Sequence, residues 1–237
     1  MVDVLFFRPN FELATQYLFA WFGLGIDEAE RLGYRVIDLP GEAATLDNLL
    51  DALQNYTFSS IILGGHGNPN TFTGQDYEEI LKACQNDEVC SGNIALLLSC
   101  FTGQELGPSM VKKNTVAFIG WQSDFRFMID TGYPILDDPL AEPFKEIAVE
   151  SMARLLRGQT IRNIWDGTIA KCDEWINRVS ARPEFEWSQV IDFIEHDRNG
   201  MICLGEKLVS PISPSRMGFI PILSSLGIGS VLTYLAV

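Results

Sequence analysis

Short apolar segments alternate with helical patterns along the first half of the chain. Each apolar segment has five or six residues, and most end at Gly, Pro or a polar residue, as buried strands do. Apolar strands that alternate with helices indicate a parallel sheet covered on both faces, with right-handed crossovers. The predicted strands are Val2–Phe7, Tyr34–Leu39, Ser59–Leu63, Ile94–Leu98 and Val116–Gly120.

Apolar positions at helical spacing predict the intervening helices, and beyond Asp130 the chain changes to longer helices without strands between them. No repeat and no low-complexity linker divides the chain. We therefore expect one α/β domain over residues 1–209 with a helical C-terminal portion. The predicted helices are Phe11–Leu32, Thr45–Tyr56, Asp76–Cys84, Glu105–Lys112, Asp138–Leu156, Thr160–Ser180 and Trp187–Glu195.

The C-terminal tail, residues 210–237, ends in a run without a charged side chain, Met217–Val237. As a helix this run of 21 residues would span roughly 31 Å, close to the core of a bilayer. Arg216 precedes it directly, so we expect a membrane anchor that leaves the body of the protein on the cytoplasmic side. A terminal strand or helix buried in the domain is the alternative. Pro221 and three glycines weaken a helix in either place, although membrane helices tolerate both residues better than soluble ones do.

Charge and cysteine content restrict the function classes. The chain has 17 Lys and Arg against 31 Asp and Glu, a formal net charge of −14, which disfavours binding to the phosphates of nucleic acids. Its five cysteines show no paired spacing such as CxxC, and the acidic start Met1-Val2-Asp3 does not resemble a signal peptide. We therefore expect reduced thiols in a cytosolic compartment, and neither a disulfide framework nor a zinc ribbon.

Two of the predicted strands are followed within three residues by a side chain that can take part in catalysis. His66 lies in Gly64–Gly67 (GGHG) after the third strand, and Cys100 follows Ser99 after the fourth. Ligands bind beyond the carboxyl ends of parallel strands, so neighbouring strands would bring imidazole and thiol together. Imidazole can act as the base that makes a thiol strongly nucleophilic. The backbone N–H groups of Gly67 and Cys100 would then donate to an oxyanion.

Less specific interpretations exist for both residues. A cysteine after an apolar strand is usually a small buried hydrophobe, as we expect for the other four cysteines, and a histidine between glycines can be a turn residue. No second histidine or carboxylate stands at ligand spacing around His66, so no metal and no other cofactor is expected. The second histidine, His196, lies in a polar segment and is expected at the surface.

The two motifs, an apolar strand followed by GHG and an apolar strand followed by SCFTG, resemble the caspase-like cysteine peptidases of clan CD. They are most similar to the gingipain-type family and the related CHAT domains, over residues 1–160. The resemblance implies a caspase-like three-layer sandwich, a mostly parallel sheet with helices on both faces. It further implies His66 as general base and acid, Cys100 as nucleophile, a thioester acyl-enzyme and a polypeptide substrate. Ser99 stands where CHAT domains often have Ala, a change that leaves this chemistry intact.

The residues after the fifth strand predict a substrate preference. Trp121 and Asp124 follow this strand at the sheet edge that carries the dyad, and they resemble the pocket of lysine-specific gingipain. The expected function is therefore a cysteine endopeptidase that cleaves after Lys or Arg. Arg8, at the end of the first strand, is the rival, because it could bind an acidic side chain as arginines do in caspases. No acid is clearly placed to orient His66, a role that a backbone carbonyl can fill in this clan.

Two other function classes remain open. A caspase-like scaffold without catalysis, tethered to a membrane, would bind a partner through its helical C-terminal portion and would not need Cys100. A small-molecule α/β enzyme would use Gly64–Gly67 to bind phosphate, although this loop lacks the spacing of a dinucleotide-binding or P-loop motif.

Overall fold

The computed structural model describes residues 2–212. Its strands are β1 (Asp3–Arg8), β2 (Arg35–Pro40), β3 (Phe58–Gly64), β4 (His66–Gly67), β5 (Thr71–Thr73), β6 (Glu79–Lys82), β7 (Ile94–Leu98), β8 (Ala117–Trp121) and β9 (Met201–Gly205). Six of them form the central sheet in the order β2-β1-β3-β7-β8-β9, in which only β9 is antiparallel to its neighbour. The five parallel strands confirm the predicted strands to within one residue at each end.

Helices cover both faces of this sheet. They are α1 (Leu13–Arg31), α2 (Leu46–Asn55), α3 (Leu106–Lys112), α4 (Glu142–Leu156), α5 (Ile161–Val179) and α6 (Phe185–Gly200). Alternate residues of a strand point to opposite faces, so Phe6 and Ile62 pack against α1, α4, α5 and α6, whereas Leu5 and Ile61 pack against α2 and α3. The described part of the chain is therefore a three-layer α/β domain.

The helix predicted over Asp76–Cys84 is wrong. Asp76 and Tyr77 have φ values of 50° and 64°, the left-handed region that a right-handed helix of L residues excludes. The chain instead forms β6, which joins β4 and β5 in a small antiparallel sheet. Ile80 and Leu81 of β6 are buried in the core on the α2 and α3 side. Because β4 follows β3 directly, this small sheet determines the surroundings of His66.

The sequence pattern does not indicate the antiparallel strand β9. Its residues pair along the whole of β8, from Gly205 opposite Ala117 to Met201 opposite Trp121. The strand follows α6 without a loop, so no turn signal marks its start. It covers the edge that β8 would otherwise expose, which is a common way of protecting a sheet from unwanted pairing.

The expected membrane anchor, Met217–Val237, lies outside the described residues and stays a prediction, as does the domain boundary after residue 209. Within residues 2–212, we find no helix that has both the length and the apolar character to cross a membrane. Ile161 donates its backbone N–H to the Val209 carbonyl at 3.0 Å. The segment after β9 therefore runs back along the start of α5.

Candidate active site

His66 and Cys100 lie at the same edge of the central sheet because β3 and β7 are neighbouring parallel strands. Gly64 pairs with Leu98 at the ends of these strands, and each candidate residue comes two positions later. The Gly65 N–H continues the pairing by donating to the Leu98 carbonyl at 3.3 Å. Both candidate side chains line one cavity of about 90 Å³. The expected adjacency of the two strands is confirmed, and the catalytic roles of the two residues stay predictions.

The thiol of Cys100 is held by the segment that follows β8. The Phe125 N–H donates to Sγ at 3.4 Å, and Sγ lies 3.9 Å from the Phe125 carbonyl oxygen. Burial raises the pKa of the Cys100 thiol; the Phe125 N–H opposes this rise, and the carboxylates of Asp124 and Asp197 add to it. In the described part of the chain, no hydrogen bond joins Sγ to His66. The resting side chain is therefore a neutral thiol.

The turn after Cys100 has a strained backbone and is hydrogen-bonded to the end of β8 and the residues after it. Phe101 has a φ of 61°, which a bulky side chain rarely adopts and which is typical of functional sites. Its N–H donates to the Ser123 carbonyl at 2.8 Å, and the Gly103 N–H donates to the Trp121 carbonyl at 2.7 Å. The position of the thiol therefore depends on the segment after β8.

A carboxylate that the sequence analysis did not identify contacts His66. Glu12 Oε1 lies 3.0 Å from His66 Nε2 and accepts the Thr15 N–H at 2.7 Å, while Oε2 accepts the Ala14 N–H at 3.0 Å. The side chain thus caps the N-terminus of α1. Burial works to raise the pKa of Glu12, but the two backbone N–H groups and the imidazole together hold it below its usual range. The carboxylate is therefore charged and fixed where it can orient the imidazole and stabilise its protonated form.

Two aromatic side chains flank the imidazole. Tyr77 stacks on His66 with ring centroids 5.1 Å apart and an interplanar angle of 27°, and Phe11 meets it edge-on at 6.1 Å. Phe11 and Tyr77 also contact each other at 4.8 Å. Tyr77 is 60% exposed and is presented by the left-handed turn at Asp76. The plane of the imidazole is therefore fixed between Tyr77 and Phe11, and Tyr77 covers it towards solvent.

Gly67 packs directly against the Cys100 turn. A Cβ at this position would lie 2.5 Å from the Cys100 carbonyl oxygen, so only glycine fits. Asn68 donates to the Thr71 carbonyl at 2.9 Å, and the alternation of an antiparallel pair then leaves the Gly67 N–H outside the β4–β5 bonding. Among the described residues, the Cys100 N–H likewise has no acceptor. Both N–H groups are available to an oxyanion, and that role stays a prediction.

The residues expected to bind a basic side chain have other partners. Trp121 is 1% exposed, and its indole N–H donates to the Asp197 carbonyl at 3.0 Å. Asp124 lies 2.7 Å from Nε of Arg126 and 2.7 Å from Nε2 of His196. The Arg126 guanidinium and, after it, His196 hold the pKa of Asp124 below its usual range, although burial opposes them. Neither Trp121 nor Asp124 lines the cavity beside the thiol.

The C-terminal turn of α6 holds the segment after β8. His196 lies near the C-terminal end of α6 and is half-buried against Asp124, so its expected place at the surface is only partly correct. Asp197 is 2% exposed; its Oδ1 accepts the Arg126 N–H at 2.9 Å, and its Oδ2 has no partner among the described residues. Burial raises the pKa of Asp197 well above its ordinary value. Through these contacts α6 positions Phe125, which binds the thiol.

Arg8, the rival specificity residue, is bound by its neighbours. Its Nη2 forms an ion pair with Asp38 of β2 at 2.5 Å, and its guanidinium lies 4.0 Å above the ring of Phe19. It does not line the cavity beside Cys100. To bind an acidic substrate side chain, Arg8 would have to leave these partners, and that role stays a prediction.

The cavity that contains the thiol adjoins a second, larger concavity. The cavity of about 90 Å³ shares Ala14, Phe125 and Phe127 with a more open groove of about 390 Å³, which runs between the start of α1 and the segment after β8. Within residues 2–212, no three His, Cys, Asp or Glu side chains are grouped so that they could hold a metal ion.

Comparison with solved structures agrees with this architecture. A complex of the pro- and mature domains of RgpB from Porphyromonas gingivalis matches with a TM-score of 0.58 and 12% sequence identity. The match covers 88% of this chain and 48% of that one, so this chain spans about half the length of its structural relative. The fold is caspase-like. No family model matches the sequence, and no curated protein matches it.

The caspase-like fold confirms the predicted fold class. RgpB is a gingipain, the type of peptidase that the GHG and SCFTG motifs resemble. At 12% identity the likeness shows the fold alone. The chemistry must therefore be argued from the residues at the edge of β3 and β7.

Proposed function

We propose that this protein is a clan CD cysteine peptidase in which Cys100 is the nucleophile and His66 the general base and acid. The observation that carries the proposal is the convergence of thiol, imidazole and the Glu12 carboxylate at the carboxyl edge of β3 and β7. The structural relative is a complex of a mature domain with a pro-domain, which supports a polypeptide as the occupant of the site.

The proposed reaction begins with attack of Cys100 Sγ on a peptide carbonyl while His66 takes the thiol proton. The oxyanion accepts hydrogen bonds from the Gly67 and Cys100 N–H groups. Collapse of the tetrahedral intermediate breaks the C–N bond, and His66 gives its proton to the departing amine. A water molecule then hydrolyses the thioester with His66 as base, which releases the carboxylic acid and restores the thiol.

The electrostatics of the site support this division of roles. Burial raises the pKa of the Cys100 thiol, so the thiolate forms only as the proton is removed. Glu12 carries a charge, lies 3.0 Å from His66, and stabilises the imidazolium that this transfer creates. Catalytic hydrogen bonds are often absent before substrate binds, so the present pairing of Sγ with Phe125 is compatible with the proposal.

Cleavage after Lys or Arg is the finer prediction from the sequence. It requires the Asp124 carboxylate to exchange Arg126 and His196 for a substrate side chain. The acidic alternative requires Arg8 to leave Asp38. Both preferences can be tested with the probes that test the nucleophile.

The test uses acyloxymethyl ketone probes bearing Ala, Val, Phe, Lys or Asp next to the reactive ketone, with peptide mapping by mass spectrometry. We expect at least one probe to label Cys100, and we expect Cys100→Ala and His66→Ala to lose labelling and peptide hydrolysis. Cys84→Ala is the matched control, because Cys84 is an exposed thiol outside the cavity. Hydrolysis that survives Cys100→Ala would overturn the proposal.

A non-catalytic caspase-like scaffold is the second candidate. The observation that favours it is the thiol itself, which is neutral, half-buried and bonded to Phe125 rather than to His66. Such a protein would bind its partner equally well after Cys100→Ala, and no ketone probe would label it.

A further inference from the structure

We propose that the cavity beside Cys100 selects a small aliphatic side chain, of the size of Ala or Val, on the residue whose carbonyl is attacked. The inference rests on the proposed function, because acyl transfer to Cys100 places that side chain next to Sγ. The cavity is lined by both Cys100 and His66, so a substrate held by the dyad must present its side chain there.

Most of the cavity wall is apolar, although Thr15, Ser99 and His66 also line it. The start of α1 contributes Ala14, Thr15 and Leu18, and the segment after β8 contributes Phe125 and Phe127. Among the described residues, no Asp, Glu, Lys or Arg side chain lines it. A substrate methyl or isopropyl group would therefore leave water for apolar surface, which is favourable in proportion to the area buried.

The size of the cavity limits the side chain. An apolar cavity of about 150 Å³ in a protein holds a benzene ring. The cavity beside Cys100 has about 90 Å³, so it has room for a branched aliphatic group and not for an aromatic ring. An aromatic side chain would have to move Phe125, whose N–H holds the thiol.

Charge disfavours a basic or acidic side chain in the same place. A Lys or Arg side chain would lose its hydration, and among the described residues no carboxylate lines the cavity to receive it. The Glu12 carboxylate is occupied by His66 and two backbone N–H groups, and the Asp124 carboxylate is occupied by Arg126 and His196. The inference thus competes directly with the preference for Lys or Arg that the sequence predicts.

The first measurement compares the rates at which ketone probes with Ala, Val, Phe, Lys and Asp label Cys100. We expect Ala and Val to react at least about tenfold faster than Phe, Lys and Asp, the range by which a hydrophobic pocket discriminates. Equal or faster labelling by the Lys or Phe probe would overturn the inference while leaving the nucleophile in place.

The second measurement does not need catalysis. Propyl methanethiosulfonate and its aminoethyl analogue are similar in length, and each transfers its alkylthio group to a cysteine as a mixed disulfide with release of methanesulfinate. We expect Cys100 to favour the propyl reagent at least about tenfold over the cationic one, relative to the exposed thiol of Cys84 in the same sample. If no ketone probe labels Cys100 but this preference holds, the peptidase proposal fails and the apolar character of the cavity stands. The lack of such a preference would overturn the inference itself.

Variants of α1 make the test specific. Ala14→Asp adds a carboxylate to the cavity wall in the first turn of a helix, where acids are tolerated. Among the ketone probes it should favour Lys, and among the methanethiosulfonates it should favour the aminoethyl reagent. Ala14→Leu should fill the cavity and leave Ala favoured over Val. Gln16→Asp is the control, because it adds the same charge at an exposed position of the same helix that lines neither concavity. A shift with Gln16→Asp equal to that with Ala14→Asp would contradict the assignment.

Discussion

Replacing Glu12 by Gln tests whether the carboxylate acts on His66. The variant keeps the shape of the side chain and one oxygen that can accept a backbone N–H of α1. It removes the charge that lies 3.0 Å from Nε2 of His66. We therefore expect slower attack by Cys100, because the imidazolium that forms as the thiol gives up its proton loses its counter-ion.

The magnitude follows from the two hydrogen bonds involved. A charge-assisted hydrogen bond contributes about 1.5–3 kcal/mol and a neutral one about 1 kcal/mol, so the exchange costs about 0.5–2 kcal/mol before screening. The His66 and Glu12 side chains are 32% and 31% exposed, and solvent reduces the loss at that exposure. We expect a cost of about 1 kcal/mol, which is about a fivefold lower rate of labelling by the best ketone probe.

The assay is the second-order rate of labelling of Cys100 by the best ketone probe at neutral pH. Glu30→Gln is the matched control, since Glu30 is an exposed residue of the same helix near its other end. If Glu12→Gln and Glu30→Gln are both labelled as fast as the parent, Glu12 has no part in the chemistry.

Gly67→Ala should destabilise the fold and abolish labelling of Cys100, because the added Cβ would lie 2.5 Å from the Cys100 carbonyl oxygen. Gly23→Ala in α1 is the control, because a Cβ added there would lie 4.0 Å from its nearest neighbour. This variant should raise the free energy of unfolding in urea by about 0.5–1 kcal/mol. Asp197→Asn should be the more stable protein at neutral pH, and it should lack the decline of the parent with rising pH. Burial raises the pKa of Asp197, so the folded state binds the proton more tightly than the unfolded one, and urea unfolding at about pH 4 and about pH 7 checks the sign. Iodoacetamide at neutral pH should alkylate Cys84 well before Cys100, since Cys84 is exposed and the pKa of Cys100 is raised, and peptide mapping measures both rates.

The parallel strands could be predicted because they are buried on both faces. Such strands have continuous apolar runs, as in Ile94–Leu98 (IALLL), and local sequence is enough to find them. From the strand ends it followed that His66 and Cys100 would share an edge, since β3 and β7 are neighbours. The helix predicted over Asp76–Cys84 is wrong because Asp76 and Tyr77 form a left-handed turn. The helical spacing of apolar residues does not reveal such a backbone conformation.

The position of Glu12, the partner of His66, is marked in the sequence by a helix-capping pattern. Glu12 stands before the first helix with Thr15 three residues later, and the two form a reciprocal cap in which each side chain bonds the backbone of the other. Glu is not among the preferred N-cap residues, which are Asn, Asp, Ser and Thr. Glu12 takes the place of a preferred cap residue and follows the end of β1 by four residues. This combination makes it a candidate for a role beyond capping, here the contact with His66.

The residues predicted to set specificity show what a motif does not indicate. Asp124 follows β8 as the resemblance requires. Its carboxylate, however, contacts Arg126 two residues later and His196, 72 residues away on α6. A motif can indicate which side chain lies near an edge, and it cannot indicate which distant side chain neutralises it. Selectivity for charge depends on a carboxylate that is desolvated and unpaired before substrate binds. Glu12 and Asp124, the two partly exposed carboxylates near the thiol, are already paired, and Asp197 is buried and does not line the cavity, so on our proposal the apolar wall of α1 at Ala14 decides what the site accepts.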